Sequence, residues 1–240
     1  MKKILKKSYF ITGLVQAFRQ LPMDMKRARW KLSQRSQIEA YLEKHSVRKL
    51  QVGSGKNLLP GWLNTDYRPT KPGQVYMDAT QPLPLPDSSF DYIFSEHVIE
   101  HLWHKDGFHF LCECHRVLKP GGKIRLATPD LKNILSLAAT EKTDLQKKYI
   151  RQASERYIPE NRELRASFVI NNFFWDFGHY FVYDEETLAA DLAEAGFKSV
   201  RRWVPGESDD PNLTGIEWHG RVVGEDINRF ETMVLQAVRL

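Results

Sequence analysis

The stretch Lys49-Leu-Gln-Val-Gly-Ser-Gly-Lys-Asn57 holds the first residues whose types and spacing suggest chemistry. Its apolar start predicts a buried strand, and Gly53, Ser54 and Gly55 predict a turn directly after it. Glycine lets that backbone take φ above zero and lets a ligand lie against bare peptide N–H groups without meeting a Cβ. A nucleotide-like cofactor is the natural guest. The following Leu58-Leu-Pro-Gly-Trp-Leu-Asn-Thr-Asp66 ends as a second short strand stopping at an acid. A carboxylate accepts two hydrogen bonds from a vicinal diol, so Asp66 suits the hydroxyls of a ribose. The interval from Gly53 is shorter than the ~20 residues of the usual dinucleotide fingerprint, which leaves room for about one helical turn. Gln74 to Met77 predicts a third strand ending in Asp78-Ala79, a contact for an adenine amino group. A helix cap is an equal alternative for Asp78.

These residues must be positioned by an ordered set of elements. The proline-laced Gln81-Pro-Leu-Pro-Leu-Pro-Asp87 cannot be a central strand or a helix and reads as a connector. Phe90 to Ser95 is a β-rich apolar strand, followed by Glu96-His-Val-Ile-Glu-His101 and an amphipathic helix through Val117. Lys119-Pro-Gly-Gly122 reads as a turn, Lys123 to Thr128 as a fifth strand, and Pro129-Asp130 as the opening of another helix. Strands alternating with helices predict an α/β fold, a parallel sheet with helices on both faces.

Composition sets the bounds. A chain of 240 residues with 42% hydrophobic content can bury one good core. Cys112 and Cys114, at i and i+2 of a predicted helix, face different ways, so neither a disulfide framework nor a zinc site is expected and the chain reads as cytoplasmic. No apolar run reaches the ~18 residues needed to span a bilayer. Lys6 and Lys7 interrupt the first apolar stretch and no small-residue cleavage site follows, so a signal peptide is not expected. Residues 1 to 35 hold ten lysines and arginines against the single acid Asp24, although the whole chain carries only +5. Phe10, Ile11, Leu14, Phe18 and Leu21 recur at helical spacing, which predicts an amphipathic lid with a basic outer face over residues 1–46. Its charge suits peripheral contact with an anionic surface; nucleic acid is less favoured because aromatic interleaving is sparse.

Taken together, Val52-Gly-Ser-Gly55, Asp66, Asp78-Ala79, Leu83-Pro-Leu-Pro-Asp-Ser-Ser-Phe-Asp91, Glu100-His101 and Arg116-Val-Leu-Lys-Pro-Gly-Gly122 resemble the class I S-adenosylmethionine-dependent methyltransferases. The marks cover residues 49 to 130. Gly178-His-Tyr-Phe-Val-Tyr-Asp184 with Leu188, Leu192 and Ala195-Gly-Phe197 continues the likeness into a sixth strand, Lys198 to Val204, and an antiparallel seventh, Glu231 to Val238. The resemblance implies a Rossmann-like doubly wound sheet of three α/β/α layers ordered 3-2-1-4-5-7-6, spanning residues 47–240 with insertions at about 140–177 and 205–228. It implies S-adenosyl-L-methionine as cofactor and S-adenosyl-L-homocysteine as its product, held by Gly53, Ser54, Gly55, Asp66, Asp78, Ala79, Ser95 and Glu96. Two departures stand out. Gln51 occupies the place of a family acid, and Asn57 that of a third glycine, where asparagine tolerates a left-handed turn.

For an oxygen acceptor, methyl transfer from such a donor needs alignment, exclusion of water and removal of a proton. Histidine suits the last task. His101 after the fourth strand, His179 in the insertion after the fifth, and His219 between the sixth and seventh are the candidates, each with a structural alternative. Some relatives hold a divalent cation on a Glu-x-x-Glu-His cluster. Here the series reads His97-x-x-Glu100-His101, all on one helix face if the segment is helical; the first acid is missing, so no metal is expected. Substrate identity must come from the insertions, where Phe173-Phe-Trp-Asp-Phe177 and Glu217-Trp-His-Gly-Arg221 would suit a sugar or polar conjugate, or merely anchor the insertions. The leading expectation is O-methylation of a small molecule, lipid or glycan. The alternatives are an RNA or protein methyltransferase and a non-catalytic binding protein of the same fold. The oligomeric state is not legible from these residues.

Overall fold

The computed structural model describes residues 2–240, and their side chains from residue 23 onward. Seven strands form one sheet ordered β3-β2-β1-β4-β5-β7-β6. They are β1 (Lys49–Val52), β2 (Leu63–Asp66), β3 (Gln74–Tyr76), β4 (Phe90–Glu96), β5 (Leu118–Pro129), β6 (Lys198–Trp203) and β7 (Thr232–Val238). The first five pair in parallel, and β7 runs antiparallel between β5 and β6. The register sets Val52 beside Ser95 and Ser95 beside Leu126, so the carboxyl ends of β1, β4 and β5 finish together. Open α/β sheets bind ligands along that edge.

The helices are α1 (Lys2–Lys44), α2 (His104–Val117), α3 (Leu131–Ser136), α4 (Asp144–Tyr157), α5 (Ala166–Trp175), α6 (Glu185–Glu194), α7 (His219–Val223) and α8 (Glu225–Glu231). Among the described residues, no helix is long and apolar enough to cross a membrane. The expected hydrophobic face of Phe10, Ile11, Leu14, Phe18 and Leu21 lies outside the described side chains. The end of α1 is part of the main domain: Ile38 and Tyr41 are buried, and the Tyr41 hydroxyl donates to the carbonyls of Lys49 and Gly61.

Both sheet faces are covered by a core that includes Leu50, Ile93, Phe110, Leu118, Ile124 and Phe197. A second cluster, with Ile134, Tyr149, Ile150, Val169, Phe173 and Ile227, packs α4 and α5 against α3 and α8. The first insertion therefore shares a small core with α3 and α8. Its entry is coded locally by a capping box between Thr143 and Gln146. The expected turn at Lys119–Gly122 lies within β5, because Leu118 pairs with Phe90 ahead of a register shift. Cys112 and Cys114 are both free.

The proline-rich connector has few ladder partners of its own, and α2 supplies them. Glu113 accepts from the Leu83 N–H at 2.7 Å and from Arg116 at 2.7 and 2.9 Å, while Arg116 donates to the carbonyls of Leu83 and Leu85. The hydrogen bond from Arg116 is the main cause that holds the Glu113 carboxyl below its ordinary value. A depressed carboxylate contributes stability above its unfolded value, and that contribution is lost as pH falls through the folded one. Glu113→Gln is expected to destabilise the protein at neutral pH and to close the gap to the parent at acid pH. Urea unfolding across pH checks this; a gap independent of pH would contradict it.

Candidate functional site

The glycine turn owes its shape to two residues that only glycine fills without strain. Gly53 has φ +73° and Gly55 φ +50°. A Cβ on Gly53 would come within 2.1 Å of Val98 Cγ2, whereas nothing lies within 4 Å of the place a Gly55 Cβ would take. The turn is thus tight underneath and open above Gly55. Ser54 is buried; its N–H reaches the Thr65 carbonyl at 2.8 Å and its hydroxyl accepts from Gln74 at 2.8 Å. Ser54 therefore ties the turn to β2 and β3.

Asp66 ends β2 with one oxygen accepting from the Gly55 N–H at 2.8 Å and the other from the Arg68 N–H at 2.7 Å. Those bonds fix the carboxylate beside the turn, with lone pairs left on each oxygen. Asp78 takes the Thr80 N–H and hydroxyl on one oxygen, at 3.0 and 2.7 Å, and the adjoining Ala79 is buried. Ser95, at the end of β4, is buried with its hydroxyl unpartnered, as is the Gln51 side-chain carbonyl in β1. Glu96 is engaged by protein: its carboxylate accepts from the N–H groups of Trp218 and His219, at 2.9 to 3.0 Å. It pins the start of α7 to the end of β4. Asn57 departs from expectation, since it is absent from the residues of positive φ and its amide donates to the Ile216 carbonyl at 2.9 Å. No left-handed backbone is needed there; the side chain fastens the second insertion to the turn.

His97, whose neighbour Val98 packs beneath Gly53, lines a cavity of about 280 Å³ together with His101, His179, His219, Phe173 and Tyr149, among others. The three candidate histidines thus meet in one space although 118 residues separate the first from the last. His101 and His179 have ring centroids 4.9 Å apart, and His101 Nδ1 faces the Gly178 carbonyl at 3.1 Å. Burial lowers the His179 imidazole below its ordinary value, and its Nδ1 has no partner. His219 Nε2 lies 2.6 Å from Glu231 Oε1.

The series His97-x-x-Glu100-His101 does not share one helix face as expected. His97 sits before a 3-10 turn, Ile99–His101, in a left-handed conformation with φ +50°. That backbone aims its ring at Glu100, with His97 Nδ1 3.0 Å from Glu100 Oε1, while His101 turns outward. Glu100 is fully buried and also accepts from the Thr128 hydroxyl at 3.0 Å. Burial alone would raise the Glu100 carboxyl; the bond and charge of His97 bring it below its ordinary value. Glu231, which sequence reasoning took only as the start of a strand, closes the group. No local signal marks it: its histidine partner, His219, is 12 residues away, beyond the reach of any helical or strand periodicity.

A seven-stranded sheet in this order with an antiparallel seventh strand, a glycine turn after β1 and an acid ending β2 define a Rossmann-like doubly wound fold. Residues 50–126 match the family described as "Methyltransferase domain". Over 48 residues the chain is 52% identical to a probable S-adenosylmethionine-dependent methyltransferase of Mycolicibacterium smegmatis, covering 20% of this chain and 18% of that protein. A probable S-adenosylmethionine-dependent methyltransferase of Mycobacterium tuberculosis is 48% identical over the same length, 20% of this chain and 17% of the relative. These matches span less than a fifth of the curated relatives. The crystal structure of an Archaeoglobus fulgidus S-adenosylmethionine-dependent methyltransferase superposes with a TM-score of 0.50 at 19% identity, over 88% of this chain and 94% of that one. The family match covers residues 50–126, about a third of the chain, and the superposition extends the likeness to the fold as a whole.

Proposed function

We propose that this chain binds S-adenosylmethionine on the glycine turn and methylates an oxygen of a small molecule, lipid or glycan held in the histidine-lined cavity. The observation that carries the reading is that adjacent residues serve both places, His97 lining the cavity and Val98 packing beneath the Gly53 turn. The residues present fit the cofactor. The open space above Gly55 would take it, the Asp66 carboxylate would receive the ribose diol, and the orphaned Ser95 hydroxyl would meet a polar atom of the methionine moiety. Asp78 keeps one oxygen for an adenine amino group. Glu96 would act through the α7 start that it holds. When bound, the cofactor supplies an electrophilic methyl group.

The chain's own task is then to hold the acceptor, exclude water and receive its proton. Phe173 and Tyr149 give the cavity apolar walls that suit the body of an acceptor. His101 presents its Nε2 if Nδ1 carries the proton donated to the Gly178 carbonyl, which makes Nε2 an acceptor. Burial lowers the His179 imidazole and so favours the neutral form that a base needs. His219 already shares its Nε2 with Glu231, so a basic role for it would fall to Nδ1.

Titration calorimetry with S-adenosylmethionine and S-adenosylhomocysteine tests the reading. Asp66→Ala is expected to weaken both by more than ~10-fold, through the loss of two charge-assisted hydrogen bonds. Unchanged affinity would take Asp66 out of the site, and no binding by the parent protein would end the assignment.

A further inference from the structure

We propose that His97, His219 and Glu231 form a site for one divalent transition-metal ion, with zinc as the type, at the inner wall of the cavity. One ligand atom from each of the three lies within 4.8 Å of the others. Donors about 2.0–2.1 Å from a common ion lie about 3.3–3.4 Å apart at tetrahedral angles. Closing the set therefore asks for side-chain shifts of up to about 1.5 Å, within the reach of small rotations about the side-chain bonds. The His97 and His219 rings already face each other with centroids 4.0 Å apart.

The three side chains come from different elements, each tied down at its backbone. The His97 N–H donates to the Ala127 carbonyl at 2.8 Å, the His219 N–H to Glu96 at 2.9 Å, and the Glu231 carbonyl accepts from the Asp130 N–H at 2.8 Å. His97 holds the left-handed backbone that aims it, a strain of the kind that collects at ligand clamps. An outer shell is present as well. The fully buried Glu100 carboxylate takes His97 Nδ1, and Thr128 in turn holds Glu100, which leaves His97 Nε2 directed away from that pair. A carboxylate behind an imidazole is the usual way a metal-binding histidine is oriented.

Pairwise hydrogen bonding leaves part of this arrangement without a reason. The His219–Glu231 contact satisfies those two groups, but His97 Nε2 has only a 3.3 Å contact with the Thr232 hydroxyl. A proton shared between His219 and Glu231 joins two of the three groups; an ion in its place would join all three. Two imidazole nitrogens and one carboxylate oxygen suit zinc and its first-row neighbours, whereas magnesium and calcium prefer oxygen throughout. The other cluster, Glu100, His101 and His179, is the poorer site, because Glu100 is already committed to His97 and Thr128 and His101 Nδ1 to a backbone carbonyl. Resting on the function proposed above, an open coordination position toward the cavity would receive the acceptor oxygen and ease its deprotonation.

The test uses the full chain, stripped with a chelator and titrated with zinc against a chromophoric competitor, with cobalt absorption as a second readout on the parent. One ion per chain is expected, with a dissociation constant of about 1 μM or lower. Cobalt should show the intense visible bands of a low-coordinate site, and millimolar magnesium should not compete. His219→Ala and Glu231→Gln should each weaken zinc by ~100-fold or more, and Glu100→Gln by ~10- to 100-fold. His101→Ala should change it by less than ~3-fold. Failure of the parent to bind zinc, or zinc affinity indifferent to His219→Ala and Glu231→Gln, overturns the site. Calorimetry with S-adenosylmethionine on the same stripped protein reads the methyltransferase assignment separately, so either can fail alone.

Discussion

Replacing Glu217 with glutamine is expected to lower the unfolding free energy by roughly 3–5 kcal/mol, the cost of leaving a buried partner charge uncompensated. The partner is Arg125, fully buried in β5, which donates from Nε to Glu217 Oε1 at 2.5 Å and from Nη1 to the Glu207 carbonyl at 3.0 Å. The other Glu217 oxygen accepts from the Gly206 N–H at 3.2 Å. Burial pushes the guanidinium down and the carboxyl up from their ordinary values, and each charge is the main force opposing the other's shift. Removing one therefore strands the other in a place water cannot reach. The pair also fastens the second insertion to the sheet just ahead of α7, so the variant should loosen the segment that carries His219. Urea unfolding gives the magnitude. The double variant Arg125→Met/Glu217→Leu should recover most of the loss, because buried ion pairs are often replaceable by apolar groups of similar size. A single-variant loss below about 1 kcal/mol would mean that Arg125 finds water, contrary to its complete burial.

The sheet was legible because its signals are local. Apolar runs of strand length, the glycine turn, the acid at Asp66 and the caps at Asp130 and Asp184 each act within a few residues, and the Gly55–Asp66 hydrogen bond spans only 11. Histidines at the ends of three separate connections could be named for the same reason, since an open α/β sheet brings its carboxyl-end loops together. What could not be read depends on distance. Arg125 looks like an ordinary strand residue until Glu217, 92 positions on, is folded beside it. Glu96 gives no sign in the sequence that the N–H groups of residues 218 and 219, more than 120 positions on, will reach it. Asn57 looks like a turn residue until Ile216 claims its amide. All three contacts converge on the second insertion, whose path over the carboxyl edge no periodicity encodes.

Gly53→Ala is expected to reduce S-adenosylmethionine affinity by ~30-fold or more and to lower the melting temperature as well, a larger effect on binding than Asp66→Ala should have. Two costs combine at this position. A side chain at φ +73° pays roughly 1–2 kcal/mol for the left-handed backbone. The new methyl would also sit 2.1 Å from Val98 Cγ2, a distance no packing allows, and overfilling of this kind typically costs about 1–3 kcal/mol. Relief requires either the turn to rise toward the open side, where Gly55 and Asp66 receive the cofactor, or the segment 96–98 to move away. The second route disturbs His97 and Glu96, and with them the cavity wall. The two costs can be separated by adding Val98→Ala. That change removes the obstructing Cγ2 and leaves the backbone angle untouched, so it should restore part of the stability lost in Gly53→Ala. A double-mutant cycle on melting and on cofactor affinity measures the coupling. Independent, additive effects would show that the turn and the segment after β4 do not bear on one another, and the cavity would then lose its claim to lie next to the methyl donor.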